Sequence, residues 1–183
     1  MKKNIKYLVK EIIPITIGIL IALFINNWNE HQKDKKYLNK ILTSINEELA
    51  ETSSSIAKSK LRHQTLIDTL DANLLDDKIP LLQIVSLGGG ISMPSIKTNS
   101  WKAISGSKIE LLDYDFVSSL ANIEEGKEIL KSQAENAMNF ILTNAEETSK
   151  YKKMVLKIMI MDMIDNVTDI EKEIEKIDKQ KSL

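Results

Sequence analysis

A run of 18 residues without a charged side chain, residues 12–29, constrains the fold of this chain more than any other part of its sequence. A helix over residues 7–28 would have 22 residues. It would rise about 33 Å, enough to cross a hydrocarbon core of about 30 Å. Tyr7 and Trp28 lie near its two ends, where amphipathic rings favour the headgroup region. The sequence therefore predicts a single transmembrane anchor over residues 1–30.

The same run has two alternative interpretations. A cleaved signal peptide needs small residues at its cleavage site, and residues 24–28, which read FINNW, supply none. A buried helix of a soluble protein would not need the lysines that precede the run or the aromatic residues at its ends. We therefore expect an uncleaved anchor.

More lysines flank the apolar run on its N-terminal side than on its C-terminal side. They are Lys2, Lys3, Lys6 and Lys10 before the run, and Lys33, Lys35 and Lys36 after it. Because loops rich in lysine stay in the cytoplasm, this bias favours a cytoplasmic N-terminus. The remainder of the chain, residues 31–183, is then expected to be exported.

The anchor carries residues suited to helix packing and to the membrane interface. Gly18 and Ala22 are four residues apart, a spacing of small residues that allows two membrane helices to approach closely. The predicted interface residues are Tyr7, Glu11, Asn26, Asn27, Trp28 and Asn29. Glu11 either snorkels to the interface beside Lys10 or is a carboxylate inside the membrane with a transport role. The asparagines form either an interfacial collar that contacts lipid or a polar ring in an oligomer.

Residues 11–30 read EIIPITIGILIALFINNWNE. This segment resembles the opening of a family of short single-span membrane proteins of Bacteroidota that share a domain of unknown function, with a signature close to E-I-x-x-x-x-I-G-I-L-I-A-L-x-I-N-N-W-N-E. A weaker similarity follows at Trp101, the Ser105-Gly106 pair and residues 109–112. The resemblance implies a mostly helical protein in the inner membrane of a Gram-negative cell. Together with the lysine bias, this predicts a periplasmic main domain. It implies no activity.

The sequence after the anchor has the spacing of a long helix. Gly and Pro are absent between Gly18 and Pro80, and apolar positions recur in alternating steps of four and three residues. The members of this heptad seam are Leu38, Leu42, Ile45, Leu49, Thr52, Ile56, Ser59, His63, Leu66 and Leu70. The pattern predicts a stalk helix over residues 31–76. The polar members either set the register of an oligomer, or face a gap, a water-filled stretch or a covering helix. We interpret His63 as a structural hydrogen-bonding residue rather than a metal ligand.

A loop is expected over residues 77–98, where a glycine triplet, Gly88-Gly89-Gly90, marks a turn. Within it, the short apolar stretch of residues 81–87 could form a short helix or a strand. Short helices are expected over residues 99–123, the first capped by Asn99 or Ser100 and another by Asp113. Trp101 is interpreted as a core residue, with a ligand-stacking role as the alternative. A further turn is expected near residues 124–126, followed by long helices over residues 127–180.

The C-terminal region is expected to pair with the stalk. Residues 154–164 are almost wholly apolar, but they are too few and too interrupted by charge to span a bilayer, so other helices or another subunit must cover them. A second heptad seam contains Ile160, Met163, Val167, Ile170, Ile174 and Ile177. The predicted fold is therefore all-α, an antiparallel helical bundle or coiled coil. The residues that we expect to form an interaction seam are Leu42, Ile45, Leu49, Ile56, His63, Leu66, Ile160, Met163, Val167 and Ile170.

Composition narrows the function. With 25 basic and 26 acidic residues, one arginine and no cysteine, the chain lacks the features of a nucleic-acid binder or a thiolate metal site. Catalytic and nucleotide-binding motifs are also missing, so we expect no enzyme activity, no cofactor and no metal. The expectation is a membrane-anchored scaffold or interaction protein that forms a homo-oligomer or covers a partner membrane complex. The alternative is an accessory or sensory subunit of a transport or motor complex.

Overall fold

The computed structural model describes the backbone of residues 2–180 and the side chains of residues 10–179. Within this range the chain is all-helical and contains no β-strand, which confirms the predicted all-α class. The elements are α1 (Lys2–Ala72), α2 (Leu81–Leu87), α3 (Asn99–Ser105), a 3-10 turn (Ile109–Leu111), α4 (Tyr114–Thr143) and α5 (Lys150–Gln180).

The chain divides into two compact units, Met1–Thr43 and Ser44–Leu183, and α1 contributes to both. In the first unit, every side chain described from residue 10 to residue 33 is exposed. The large apolar residues between Ile12 and Trp28 are each 50–72 % exposed. α1 therefore contains a segment long and apolar enough to cross a membrane.

The second unit is built on three long helices. Lys60 Nζ on α1 lies 2.7 Å from Glu171 Oε2 on α5, and Asp71 Oδ1 lies 2.6 Å from Lys157 Nζ. Residue numbers thus rise along α1 as they fall along α5, and the two helices are antiparallel. α4 is antiparallel to α5 as well, so it runs in the same direction as α1.

The contact between α4 and α5 depends on a glycine. A Cβ atom built at Gly126 would lie 2.7 Å from Ile170 Cγ1, closer than any real side chain allows. Asn166 Nδ2 on α5 donates to Gly126 O over 3.0 Å at the same place. The missing side chain thus allows the two helices to approach closely. The turn predicted near residues 124–126 was wrong, because this glycine packs a continuous helix rather than breaking one.

Other helix ends also differ from the expectation. α1 ends at Ala72 rather than at residue 76. Of the two possibilities for residues 81–87 within the expected loop, the structure has the short helix, α2. Asp113 caps α4 as predicted, accepting a hydrogen bond from Asp115 N over 2.9 Å. At the other end of α4 the helix stops at Asn144, so α4 and α5 are separate helices.

Residues 91–98 have no regular secondary structure and run back along α1. Ser92 is bonded to Ser59, and Lys97, further along the segment, is bonded to Thr52, which lies earlier on α1. Ile96 is buried. This extended segment therefore covers part of the seam of α1, where an additional helix would lie in a four-helix bundle.

Candidate functional site

Three polar side chains of α1 bind the backbone of the extended segment. Ser59 Oγ donates to Ser92 O over 2.6 Å. Ser95 N donates to Ser55 Oγ over 2.8 Å, and Lys97 N donates to Thr52 Oγ1 over 3.0 Å. We call Thr52, Ser55 and Ser59 the polar strip.

The polar strip includes two of the three polar members of the first seam, Thr52 and Ser59, and shows what they contact. A segment without regular structure still needs partners for its buried N–H and C=O groups. Helical positions 52, 55 and 59 are spaced by three and four residues, so they share one face and follow the segment along its length. The strip therefore faces neither a gap nor a covering helix, but the chain's own backbone.

Glu48 extends this arrangement by one turn. Its carboxylate accepts hydrogen bonds from Ser100 N over 3.1 Å and from Ser100 Oγ over 3.1 Å. Thr98, at the cap position of α3, makes no side-chain bond to the helix. A carboxylate beside exposed N–H groups at a helix N-terminus is stabilising. The expected cap at Asn99 or Ser100 was wrong, because Glu48 of α1 fills that role.

Charged residues surround the end of the extended segment. Lys97 is paired with Glu51, and Lys102 Nζ lies 2.9 Å from Glu124 Oε1. Burial acts to raise the pKa of Glu124, but hydrogen bonds from Thr98 and Lys102, with the nearby lysine charges, outweigh it and lower that pKa. Glu124 is therefore held ionised by its surroundings.

His63 is buried beneath the extended segment, one turn of α1 after Ser59. Among the described residues, neither of its ring nitrogens has a hydrogen-bond partner. Burial lowers the pKa of His63; the Ser92 backbone opposes this shift without reaching hydrogen-bonding geometry. The expected hydrogen-bonding role is therefore not seen at His63. Among the side chains described, no group of three or more metal-ligating residues occurs.

Lys153 is a buried residue that sequence reasoning missed. Its side chain is fully buried, and Nζ donates to Asn73 O over 3.0 Å and also to Asp76 O. These carbonyls follow the C-terminus of α1, where a positive charge is favoured by the helix dipole. The second seam, continued backwards from Ile160 in steps of four and three, reaches Leu156 and then Lys153. That spacing was the available signal.

The residues of the expected interaction seam lie mainly inside the second unit. Leu42, in the first unit, is half-buried. The others are buried: Ile45, Leu49, Ile56, His63, Leu66, Ile160, Met163, Val167 and Ile170. The extended segment and the three long helices thus cover both seams within one chain. Burying these residues therefore requires no partner protein.

The predicted membrane residues lie in the first unit. Exposed side chains are found at Glu11, Gly18, Ala22, Asn26, Asn27, Trp28 and Asn29. A Cβ atom at Gly18 would meet nothing within 4 Å, and Asn26 Nδ2 donates to Glu30 over 3.4 Å. Tyr7 lies outside the residues whose side chains the structure describes.

The first three turns of α5 carry a row of exposed apolar residues. Tyr151, Met154, Ile158 and Met161 are 70, 44, 56 and 46 % exposed. Leu156, Ile160 and Met163 on the opposite side of the helix are buried. The expectation that residues 154–164 are covered therefore holds for one side of α5 only.

Compared with known proteins, the chain matches no protein-family model, no curated protein and no solved structure.

Proposed function

We propose that this chain is a membrane-anchored helical interaction protein without catalytic activity. In this proposal residues 1–30 cross the bacterial inner membrane, and residues 31–183 form a periplasmic domain that binds other proteins. The observation that carries the proposal is the exposure of the apolar side chains of residues 12–28, which contrasts with the well-covered core of the second unit.

The free energy of that exposure supports an anchor. Eleven large apolar side chains of this segment are at least half exposed. Leaving each in water costs roughly 1 kcal/mol, so the segment as a whole costs on the order of 10 kcal/mol. A cost of that size is comparable to the total stability of a typical domain, about 5–15 kcal/mol. Lipid hydrocarbon removes it without requiring any partner protein.

The distribution of lysine supports the orientation of the anchor in the membrane, and sequence similarity supports its location in the inner membrane. The excess of lysine before the apolar run favours a cytoplasmic N-terminus. The similarity of residues 11–30 to the anchor of the Bacteroidota family favours the inner membrane of a Gram-negative cell.

The alternative, a ligand-sensing or accessory subunit, loses its first candidate site. The polar part of the α1 seam would be a natural place for a ligand. Its groups are instead bonded to residues 92, 95 and 97 of the same chain. The exposed apolar row on α5 is the better candidate surface, and it is suited to another protein rather than to a polar ligand.

Membrane extraction and cysteine labelling test this proposal. The natural chain has no cysteine, so single cysteines can be placed at Lys3, in the expected cytoplasmic tail, and at Leu61, which is exposed on α1. The full-length protein, expressed in a Gram-negative host, should stay in the membrane pellet after alkaline carbonate. A membrane-impermeant maleimide should label Leu61→Cys in intact cells and Lys3→Cys only after lysis. Release by carbonate, or the reverse labelling pattern, would reject the proposal.

A further inference from the structure

The outer face of α5 changes character along the helix. After Lys150, the exposed positions of its first three turns are the apolar residues Tyr151, Met154, Ile158 and Met161. From Asp162 onward the exposed positions are mainly charged. The buried face, in contrast, continues without a break to Ile177. The apolar row is thus additional to what the core of this unit requires, and an apolar surface of this kind marks an interaction site.

We propose that a second copy of this chain docks on this row, with the two α5 helices side by side and parallel. The proposal rests on the membrane anchoring argued above. Two copies related by a twofold axis normal to one membrane place each residue at the same height as its counterpart. An isologous contact in which each apolar row meets the row of the other copy satisfies this symmetry.

The spacing of the row fits a parallel helix pair. Steps of three, four and three residues place Tyr151 and Ile158 at one core position of a heptad, and Met154 and Met161 at the other. Methionine side chains are unbranched and adapt to such a contact. Identical residues meet across the axis in this arrangement, so the same four side chains complete both halves of the contact.

Charge complementarity points to a second copy as the occupant. Lys157 and Asp162 flank the row on its two sides, five residues apart. In a parallel pair, residues with this offset face each other across the interface. Lys157 Nζ is bound to Asp71 but keeps a third donor, and 30 % of its side chain is exposed. Among the described residues, the Asp162 carboxylate has no ion-pair or hydrogen-bond partner. Two reciprocal pairs therefore form in the dimer.

The size of the row fits a contact assisted by the membrane. Four side chains cover less than the roughly 800 Å² per partner that a typical independent complex buries. Anchoring both copies in one bilayer raises their effective concentration, so that a contact too weak to form a dimer in solution forms one in the membrane. The contact is therefore expected in membranes, and it is expected to weaken when the protein is diluted in detergent.

Disulfide trapping in membranes tests the proposal. Single-cysteine variants Met154→Cys and Ile158→Cys of the full-length chain are oxidised in isolated membranes, and the dimer fraction is measured on non-reducing gels. Leu61→Cys is the matched control, because Leu61 is an exposed apolar residue of α1 that is 71 % exposed. Both α5 variants should give several times the dimer fraction of the control. Adding Asp162→Lys to Ile158→Cys should lower the yield several-fold.

Two results would overturn the assignment. One is a dimer fraction for both α5 variants that is no higher than that of Leu61→Cys. The other is trapping of Met154→Cys to a different membrane protein, which would assign the row to that protein instead. Carbonate extraction of the same membranes tests the proposed membrane anchoring separately from the dimer contact. A chain without a membrane anchor would be released by carbonate whether or not it forms cross-linked dimers.

Discussion

Lys153 Nζ donates a hydrogen bond to the backbone oxygen of Asn73, 80 residues away in the chain and one residue beyond the end of α1. The same ammonium group binds Asp76 O. A fully buried lysine is therefore tolerated in the second unit because it completes the C-terminus of a helix.

Replacing this lysine tests its role. Lys153→Met keeps most of the side-chain volume but leaves the carbonyls of Asn73 and Asp76 without their charged donor. We expect the free energy of unfolding to fall by about 3 kcal/mol. Urea titration of the solubilised full-length protein measures it. Lys150→Met, at an exposed position on the first turn of α5, is the control and should change stability by less than about 0.5 kcal/mol. Equal effects of the two substitutions would contradict the role of Lys153.

The polar strip should hold the extended segment through single hydrogen bonds. Ser59→Ala removes the donor to Ser92 O, and we expect a loss of about 1–2 kcal/mol. Hydrogen exchange provides a local measurement, because the amide protons of Ser95 and Lys97 should exchange faster in this variant. Ser54→Ala is the matched control, since Ser54 is exposed on the same helix. Unchanged exchange at both amides would show that the segment does not depend on Ser59.

His63 should make the fold sensitive to mild acid. Burial lowers its pKa in the folded state, whereas the unfolded chain keeps the ordinary value of 6.5. Below that pH the unfolded chain binds a proton more readily than the folded chain does. The free energy of unfolding should therefore decrease as the pH falls below 6.5, down to the folded-state pKa.

Comparing the two histidines measures this effect. His63→Leu should flatten the dependence of stability on pH below about 6.5. His31→Leu should leave it unchanged, because His31 is exposed. Denaturant midpoints at several pH values supply the comparison. If the His63→Leu curve is parallel to that of the natural protein, His63 is not the group that titrates.

Gly126 should not accept even a methyl group. In Gly126→Ala the new Cβ would lie 2.7 Å from Ile170 Cγ1 on the facing helix. We expect a loss of about 1–3 kcal/mol from this overpacking. Gly106→Ala is a control with room for the side chain, since its nearest neighbour is Lys102 O at 3.7 Å. Thermal unfolding should separate the two variants, and similar melting temperatures would contradict the close approach of α4 and α5.

Charges placed in the apolar run should prevent membrane retention. Ile17→Arg combined with Ile21→Arg adds about 2.5–3.5 kcal/mol per residue to insertion. We expect the double variant to appear in the carbonate supernatant. Leu61→Arg combined with Leu75→Arg places the same charges on exposed positions of the second unit and should remain in the pellet. Retention of the anchor variant would remove the main support for the proposed function.

The heptad spacing of apolar residues predicted the long helices, because the residues that recur at this spacing are the ones that pack in the core. Ile56 and Leu66 recur at helical spacing, and both are buried in the core. In contrast, what covers Thr52 and Ser59 could not be predicted, because their partners are backbone groups 45 and 33 residues away. Nothing in the pattern around residues 91–98 distinguishes a bound segment from a loop.

Gly126 was misread for a related reason. A glycine within a helical pattern indicates either a turn or a close contact, and only the position of Ile170 on α5 decides between them. The sequence pattern identified both heptad seams. It could not show that the three long helices and the extended segment of one chain are sufficient to cover them.

The polar strip also affects which sequences the extended segment can accept. The hydrogen bonds of the polar strip go to backbone atoms of the segment, Ser92 O, Ser95 N and Lys97 N. A side chain of the segment contacts α1 in the ion pair of Lys97 with Glu51. Substitutions at Ser92 and Ser95 should therefore be tolerated as long as the backbone stays extended, and those at Lys97 should cost only its exposed ion pair with Glu51. Proline is the exception, since at 95 or 97 it would remove a required donor. The natural proline of this segment, Pro94, lies beside these positions, where α1 takes no hydrogen bond from the backbone.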